Sequence, residues 1–560
     1  MSAHPLGTEP LYQFALAPNP AEWGSHALLV NTPEPDDYLH NPDPKRDRNI
    51  DAGGHIFTAR GISNLGFMAF LVLGMLMLLY VSVCFPIYSH FTKRIQSTQG
   101  AFNVGGTNAT GQVASLPGLV SLIDVETPAS AYTKASYMNA NDEWDLVFSD
   151  EFNLDGRTFY PGDDPFWEAT DYHYWGTNDL EWYDPKQATT KGGYLRLTLA
   201  KADPASNHDL SYVSGMTSDL ACRNKFCFTG GIIEVSVQLP GSSKISGLWP
   251  AVWTMGNLGR AGYGASLEGM WPYSYDSCDV GTLPNQTYPG TSLPQAAVEK
   301  GDPSNFNMLS YLGGQRLSAC TCPGESHPGP ARADGSYVGR SAPEIDIFEA
   351  TIDGGIGKVS QSGQWAPFNA QYDWLNTTAN LIIPNPDITA LNGYKGGVYQ
   401  QTTSGLSMTN QNCYELESGC FSIYAFEYKP GFDDSYITWV VNDTVAWTLM
   451  GAGMGPDKRT EIGARPVPQE PMYIIMNLGF SLNFGWIDFN TITLPTAMLI
   501  DYVRVYQPKD AHNVGCDPPD FPTAAYIDTY LEAYTNPNLT LWSYPSFNQS
   551  MPKNKLVDTC

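Results

Sequence analysis

Acidic and apolar residues alternate in "SAPEIDIFEA", residues 341–350. Successive side chains of a β-strand point to opposite faces, so Glu344 and Asp346 share one face and the isoleucines share the other. Regular alternation would bury Glu349, which is costly for a lone carboxylate. We therefore predict a β-bulge at Ile347–Phe348 that returns Glu349 to the acidic face.

The three carboxylates Glu344, Asp346 and Glu349 are candidate catalytic residues. Grouped carboxylates shift one another's pKa values, so that one is ionised and another is protonated near neutral pH. A retaining glycosidase uses this split, with one carboxylate as nucleophile and a second, about 5–5.5 Å away, as general acid and then base. A solvated strand face or a structural cation site, for example for Ca²⁺, fits the same residues, although no calcium ligands are assigned.

The sequence around this strand predicts an all-β protein. Runs such as "GGIIEVSVQLP" (230–240) and "MLIDYVRVYQP" (498–508) alternate with period two and are separated by Gly, Pro, Asn and Asp. Helical periodicity is nearly absent beyond the N-terminal region. We expect an antiparallel β-sandwich over residues 144–508, interrupted by an irregular insertion at 257–342.

Tryptophans offer candidate sugar-binding surfaces. Trp249 and Trp253 lie on one face of a predicted strand in "GLWPAVWTM" (247–255), and rigid indole planes along a groove stack on sugar rings. Trp182 and Trp271 are further candidates. Each of the four also fits an ordinary role in the core of a sandwich.

Six segments carry a family resemblance. The segments "VFSDEF", "GGIIEVSVQLP", "GLWPAVW", "PEIDIFEA", "NLGFSLNF" and "MLIDYVRVYQP" occur in the order seen in glycoside hydrolase family 16, the β-glucanases and laminarinases. The long uncharged segment at 65–87 and "LSACTCPGESHPGP" (317–330) more closely resemble the membrane-anchored fungal β-1,6-glucan synthesis-associated branch. This resemblance implies a jelly-roll (concanavalin A-like, glucanase) sandwich with a concave cleft. It also implies that Glu344 is the nucleophile, that Asp346 orients it, and that Glu349 is the acid/base.

The function that the resemblance implies is a retaining β-glucosidase or β-glucan transglycosylase in β-glucan biosynthesis and fungal cell-wall organisation. Its partners would be a β-glucan or glycan acceptor and proteins of cell-wall synthesis or the secretory pathway. The alternative is a non-catalytic glucan-binding or synthase-assembly factor that uses the same cleft. The net charge of −27 argues against nucleic-acid binding, which needs clustered Lys and Arg.

Residues 65–87 contain no charged residue and are long enough to cross a hydrocarbon core of about 30 Å. Basic residues are more frequent before this segment than after it, and every N-x-S/T sequon lies after it. We expect a single-pass type II anchor in the lipid bilayer of the endoplasmic reticulum, Golgi or plasma membrane. The remaining segments are a disordered cytosolic tail (1–64), a lumenal stem (88–143) and a C-terminal extension (509–560).

Glycosylation and disulfides fit a lumenal C-terminal side. The sequons are at Asn108, Asn285, Asn376, Asn442, Asn538 and Asn548. Nine of the ten cysteines follow the apolar segment, where oxidation is expected. Cys222 with Cys227, and Cys413 with Cys420, are close enough in sequence to form short loops, but connectivity is not fixed by sequence. No CxxC pair has zinc-site spacing, so no metal site is predicted.

Overall fold

The computed structural model describes residues 59–84, 121–219 and 225–560, together with Lys45, Arg48, Phe57 and Ile87. The chain divides into two units, Met1–Lys93 and Arg94–Cys560. Most of the predicted cytosolic tail and of the predicted stem therefore lies outside the described residues.

The described part of the N-terminal unit includes a long apolar helix. Helix α1 spans Ala59–Leu79 and continues as a π-helix over Tyr80–Cys84. The segment Gly61–Cys84 is long and apolar enough to cross a membrane. The helix begins ahead of the predicted residue 65, because each residue added to an existing helix gains a hydrogen bond at little cost.

The second unit is built from short strands. In chain order, these are β1 Thr133–Ala135, β2 Glu143–Asp150, β3 Glu168–Ala169, β4 Glu181–Tyr183, β5 Ala188–Thr190, β6 Leu195–Lys201, β7 Tyr212–Ser214, β8 Met216–Ser218, β9 Gly231–Gln238, β10 Trp249–Gly256, β11 Glu344–Asp353, β12 Ile356–Trp365, β13 Leu381–Ile382, β14 Thr389–Leu391, β15 Gln401–Met408, β16 Ser422–Lys429, β17 Tyr436–Val441, β18 Thr444–Met450, β19 Met472–Gly479 and β20 Thr496–Pro508. Short helices also occur: α2 Gly264–Leu267, α3 Ala524–Thr529 and α4 Leu531–Thr535.

The strands form two sheets. The twelve-stranded sheet follows the path β13-β18-β17-β16-β9-β20-β6-β7-β4, with β1, β2 and β5 attached to it. The eight-stranded sheet has the order β14-β15-β12-β11-β10-β19-β8-β3, which places the acidic strand β11 near its middle. Paired strands run antiparallel except for β4 and β7. The predicted all-β sandwich is confirmed.

The main core lies between the two sheets. Ile345 and Phe348 of β11 contribute to it from the eight-stranded sheet, and Val235, Phe426 and Trp439 contribute from the twelve-stranded sheet. All five side chains are completely buried. Burial of apolar area at about 25 cal/mol per Å² is the main stabilising contribution in such a core. The apolar residues between the carboxylates thus anchor the acidic strand.

A second apolar cluster covers part of the opposite face of the eight-stranded sheet. Trp253 and Tyr473 belong to it from the sheet, Met270 belongs to it from the insertion, and Tyr534 and Trp542 belong to it from the C-terminal extension. The insertion and the extension therefore pack together on the face that carries the carboxylates.

Among the described residues, four disulfides are formed. They join Cys227 to Cys516, Cys278 to Cys320, Cys322 to Cys560, and Cys413 to Cys420. The short loop 413–420, which sequence proximity allowed, is closed by a disulfide. The short loop between Cys222 and Cys227, which proximity also allowed, does not form, because the buried Cys227 lies 4.9 Å (Cα to Cα) from Cys516 of the extension and bonds to it. Cys222 itself lies outside the described residues.

The end of the predicted stem is folded. Strand β1 pairs with β2, and the following residues reach across the twelve-stranded sheet. Ser136 Oγ donates a hydrogen bond of 2.8 Å to Glu427 Oε1, and the Tyr137 amide donates one of 2.6 Å to Glu427 Oε2. The folded unit therefore includes residues before 144.

Most of the predicted glycosylation sites in the described residues are accessible. Asn376, Asn442, Asn538 and Asn548 are exposed, Asn285 is half-buried, and Asn108 lies outside the described residues. Their glycosylation stays a prediction.

Candidate active site

Strand β11 contains the predicted β-bulge. Asp346 and Phe348 pair with consecutive residues of β10, so Ile347 has no partner in that strand. Ile347 and Phe348 are both completely buried in the main core. The bulge therefore returns Glu349 to the face that carries Glu344 and Asp346.

Glu344 accepts a hydrogen bond from the insertion. Trp271 Nε1 donates to Glu344 Oε2 over 2.5 Å. Trp271 lies just after helix α2, far from β11 in sequence. From the sequence, Trp271 was predicted only as a candidate sugar-binding residue. In the structure, its indole N–H donates a hydrogen bond to the predicted nucleophile.

Glu349 is held by a different indole. Trp249 Nε1 donates a hydrogen bond of 3.0 Å to Glu349 Oε1. One face of the Trp249 ring is covered by Phe484, with ring centroids 4.3 Å apart and planes 3° from parallel. The predicted sugar stacking at Trp249 would therefore be limited to the opposite face of the ring.

Asp346 is the most enclosed of the three carboxylates, with 2% of its surface exposed. Its Oδ2 accepts hydrogen bonds from Ser362 Oγ at 2.7 Å and Gln364 Nε2 at 3.0 Å. Its backbone carbonyl accepts a hydrogen bond of 2.8 Å from Trp439 Nε1 of the opposite sheet. These contacts fix Asp346 between the other two acids.

Burial and mutual repulsion raise the pKa values of the acids. Burial raises the pKa of Glu349 to about 8, the charge of Asp346 adds to the increase, and the Trp249 hydrogen bond opposes it. Burial, followed by the charge of Asp346, raises the pKa of Glu344 well above its usual range, and the Trp271 hydrogen bond opposes the increase. Burial also raises the pKa of Asp346. At neutral pH the site therefore retains protons that exposed carboxylates would have lost.

The other two candidate sugar-binding tryptophans, Trp253 and Trp182, have hydrogen-bond partners other than the three carboxylates of β11. Trp253 is 9% exposed and donates a hydrogen bond of 2.9 Å to Asn477 Oδ1, so its ring is mostly enclosed. Trp182 stacks on His208 with centroids 3.6 Å apart and donates a hydrogen bond of 2.8 Å to Asp171. These contacts of Trp182 do not join it to the acidic strand. Sugar binding at either residue stays a prediction.

A second carboxylate pair, which was not predicted from the sequence, is connected to Trp253 through hydrogen bonds of Asn477 and Tyr183. Asn477 Nδ2 donates a hydrogen bond of 3.2 Å to the Tyr183 hydroxyl, which donates one of 3.2 Å to Asp179 Oδ2. Burial raises the pKa of Asp179 to about 7 and raises that of Glu181 well above its usual range. Asp179 and Glu181 flank one apolar residue, as Glu344 and Asp346 do, and this repeated spacing was the available signal.

Over residues 59–84, 121–219 and 225–560, no group of three or more His, Cys, Asp or Glu side chains has an arrangement that could hold a metal ion. A calcium site thus stays without assigned ligands.

A two-sheet antiparallel sandwich with three carboxylates on one face, two of them held by indole donors, defines a glycosidase-like scaffold. Residues 26–560 match the model of the family described as "Beta-glucan synthesis-associated protein SKN1/KRE6/Sbg1". The chain belongs to this family.

Relatives cover nearly the whole chain. It is 42% identical over 537 residues to the beta-glucan synthesis-associated protein SKN1 of Candida albicans, covering 95% of this chain and 67% of the relative. It is 42% identical over 544 residues to the beta-glucan synthesis-associated protein KRE6 of Saccharomyces cerevisiae, covering 96% and 70%. The predicted family is confirmed.

Solved structures of glucanases are more distant. The catalytic domain of an endo-1,3-beta-glucanase (laminarinase) from Thermotoga petrophila is 18% identical, with a TM-score of 0.35 and coverage of 66% of this chain and 99% of that one. The endo-beta-1,3-glucanase from Pyrococcus furiosus is 16% identical, with a TM-score of 0.36 and coverage of 69% and 99%. Similarity at this level does not assign an activity to this chain.

Proposed function

We propose that this chain is a retaining glycosidase or transglycosylase that acts on β-glucan during its synthesis and in cell-wall organisation. The observation that carries the proposal is that Glu344 and Glu349 lie on one face of β11, on either side of the buried Asp346, and accept hydrogen bonds from two different indoles. This pairing gives two carboxylates two distinct surroundings, which a double displacement requires.

In the first step, Glu344 attacks the anomeric carbon of a bound glucosyl unit and forms a glycosyl ester. Glu349 gives its proton to the departing glycosidic oxygen, so the leaving sugar departs as a neutral alcohol. A pKa of about 8 keeps Glu349 protonated for this step at neutral pH.

In the second step, the ionised Glu349 removes a proton from a sugar hydroxyl or from water. The oxygen of that group attacks the anomeric carbon, and the ester bond to Glu344 breaks. A sugar acceptor gives transglycosylation and a longer or branched glucan, whereas water gives hydrolysis.

Asp346 is proposed to set the charge of Glu344. Both carboxylates have raised pKa values, so they compete for a proton. Attack requires that proton to reside on Asp346. Positive charge that develops on the sugar ring in the transition state stabilises the ionised form of Glu344, as does the Trp271 hydrogen bond.

We also propose a single-pass type II membrane topology. The apolar helix Gly61–Cys84 would anchor the chain, and the disulfide-bonded unit would lie on the lumenal or extracellular side, where disulfides persist. Partners from cell-wall synthesis or the secretory pathway would meet it there.

The second candidate is a non-catalytic glucan-binding or synthase-assembly factor. The observation that favours it is the cover that the insertion and the extension place over the carboxylate face, for example through Met270 and Trp542. Such cover restricts entry of a long polymer, so the same fold would then serve for binding alone.

Intact-mass spectrometry of the full chain in detergent, after incubation with an activated 2-fluoro β-glucoside, separates these candidates. We expect a glycosyl adduct on the wild type and none on Glu344→Gln, which removes charge at nearly constant volume. If the wild type forms no adduct while it still binds glucan oligosaccharides, the binding-factor candidate is correct.

A further inference from the structure

The position of the Trp271 indole depends on the backbone turn that carries it. This turn, residues 264–271, starts with helix α2 and is here called the Trp271 turn. The amide of Trp271 donates a hydrogen bond of 3.0 Å to the carbonyl of Leu267, and its indole N–H donates one of 2.5 Å to Glu344. Contacts that fix the path of the turn therefore also fix the direction in which the indole points.

Arg316, from a later part of the insertion, binds the Trp271 turn through four hydrogen bonds. Its backbone amide donates one of 2.7 Å to the carbonyl of Gly269. Its guanidinium donates three, of 3.0, 3.3 and 2.6 Å, to the carbonyl groups of Ala265, Ser266 and Glu268. A helix of one turn leaves such carbonyl groups without intrahelical partners, so Arg316 supplies the donors that the turn lacks.

Arg316 is buried, with 3% of its surface exposed. In the part of the chain that the structure describes, its guanidinium bonds to carbonyl groups and forms no salt bridge. The guanidinium also lies over the Trp542 ring of the C-terminal extension, with Cζ 3.8 Å from the ring centroid. These contacts offset part of the cost of burying the charge. A buried charge is weak evidence for stability, so the planar fork of Arg316 is better explained by the geometry that it imposes on the turn.

The C-terminal extension also holds the Trp271 turn directly. The amides of Trp542 and Ser543 donate hydrogen bonds of 2.5 and 3.3 Å to Glu268 Oε2. Trp542 is buried, and its ring packs edge-to-face against Tyr530 with centroids 4.6 Å apart. The aromatic surface on which the guanidinium rests is therefore itself fixed.

Two disulfides hold the extension independently of Arg316. Cys227–Cys516 ties it near its start, and Cys322–Cys560 ties it to the insertion. Loss of the Arg316 guanidinium would therefore leave the extension attached and change the local path of the Trp271 turn. The expected effect is on the orientation of the indole rather than on the presence of the fold.

We infer that Arg316 is a positioning residue for the proposed reaction, because it fixes the Trp271 turn and thereby holds the indole N–H on Glu344. This inference rests on the proposed function, since it gives Arg316 a part in preparing the nucleophile. It also gives the C-terminal extension a part in the site, because Trp542 supports both the guanidinium and the turn. Without the guanidinium, the indole would reach the carboxylate less often, and small misplacements of a reacting group slow a reaction strongly.

The test is a double-mutant cycle of Arg316→Met and Trp271→Phe, read as the rate of 2-fluoroglucosyl adduct formation on the full chain in detergent. Met keeps an unbranched apolar side chain and removes every guanidinium donor. We expect Arg316→Met to slow adduct formation by about tenfold, and by no more than Trp271→Phe does. Because both changes act on one hydrogen bond, the double variant should be no slower than Trp271→Phe alone. Losses that multiply in the double variant would overturn the inference, since Arg316 would then act without Trp271.

Arg332→Met is the matched control. Arg332 belongs to the same insertion and also donates to a backbone carbonyl, but its partners are Asp276 and Tyr337, outside the Trp271 turn. We expect it to leave the rate unchanged, and a loss equal to that of Arg316→Met would contradict the inference. Should Arg316→Met fail to fold, Arg316→Lys takes its place in the cycle. Lysine keeps the buried charge and replaces the planar fork by a single nitrogen, and the same lack of additivity is expected.

Fluorine NMR separates failure of this inference from failure of the proposed function. In the full chain labelled with 5-fluorotryptophan, the resonance that is missing from Trp271→Phe belongs to Trp271. We expect Arg316→Met to shift or broaden this resonance and Arg332→Met to leave it unchanged. If the wild type forms no adduct, the proposed reaction is wrong, and a perturbed resonance still supports Arg316 as the residue that holds the indole. An unchanged Trp271 resonance in Arg316→Met overturns the inference, whether or not the adduct forms.

Discussion

The indole nitrogen of Trp271 lies 2.5 Å from Glu344 Oε2, so a residue of the insertion directly contacts the acidic strand. Among the described residues, the main core between the two sheets includes no side chain of the insertion at 257–342. The contact therefore points to a role in the chemistry of Glu344. It favours the ionised carboxylate and fixes its orientation.

Trp271→Phe keeps the aromatic ring and removes the N–H donor. Hydrogen bonds to charged groups contribute about 1.5–3 kcal/mol, so we expect adduct formation to slow by roughly tenfold to hundredfold. The exposed Trp486, substituted in the same way, is the control and should leave the rate unchanged. Single-turnover mass spectrometry measures both, and equal rates for the two variants would contradict the role of Trp271.

Glu349→Gln should affect donors according to their leaving group. With an alkyl glucoside, whose leaving oxygen needs a proton, we expect formation of the glycosyl ester to slow by about 10²–10⁴-fold. With a glucosyl fluoride the loss should be much smaller, because fluoride departs without protonation. A similar loss with both donors would mean that Glu349 acts in positioning and not as the acid.

The pH dependence of the rate of glycosyl-ester formation should reflect the protonation state of Glu349. Burial raises the pKa of this residue to about 8, so the acid is protonated below that pH and ionised above it. We expect the rate with an alkyl glucoside to fall as the pH increases through about 8. In Glu349→Gln this alkaline limb should be missing from the pH profile. A limb of unchanged position in the variant would assign the titration to another group.

Asp179 should make folding stability depend on pH. Its pKa in the folded chain is about 7, above the ordinary value of 3.8, so the folded state binds this proton more tightly than the unfolded state does. The stability contributed by this group is present below pH 3.8 and is lost as the pH rises to 7. Asp179→Asn should reduce the loss of unfolding free energy over this pH range by a few kcal/mol, as measured by denaturant titration. Asp433→Asn, a substitution at an exposed aspartate, is the control and should leave the pH dependence of the unfolding free energy unchanged.

The acidic strand was readable from the sequence because it is governed by local rules. Alternation assigns Glu344 and Asp346 to one face, and the cost of burying Glu349 requires the bulge. The partner of Glu344 was not readable in this way. The insertion that carries Trp271 has no sustained periodicity, so its path over the sheet depends on tertiary packing against the C-terminal extension.

Disulfide pairing is likewise not predictable from local sequence rules. Sequence proximity allowed a loop from Cys222 to Cys227, whereas Cys227 pairs with Cys516 at a sequence separation of 289. Connectivity depends on which side chains the completed fold brings together. Asp179 and Glu181 were not predicted as a pair, because two acids separated by one apolar residue are a weak local signal, and Trp182 next to them was the more prominent candidate.

The long-range and short-range disulfides should contribute unequally to stability. Cys227–Cys516 closes a loop of 289 residues and Cys413–Cys420 closes one of 7. Loop-closure entropy predicts that replacing the first pair by Ser destabilises the fold by about 3 kcal/mol more than replacing the second. Denaturant titration of both double variants measures the difference. Equal losses would show that local strain or packing, and not loop length, sets the contribution of each bond.

The Cys227–Cys516 disulfide can form only late in biosynthesis, after both cysteines have been synthesised. Translation at about 5–20 residues per second separates the emergence of Cys227 from that of Cys516, 289 residues later, by roughly 15–60 s. During this interval, the nascent chain already exposes Cys222 and Cys227, five positions apart in the sequence, to oxidation. A premature local bond between them would have to be reduced before the native one forms. In that case, disulfide isomerisation would be a step in the maturation of this protein.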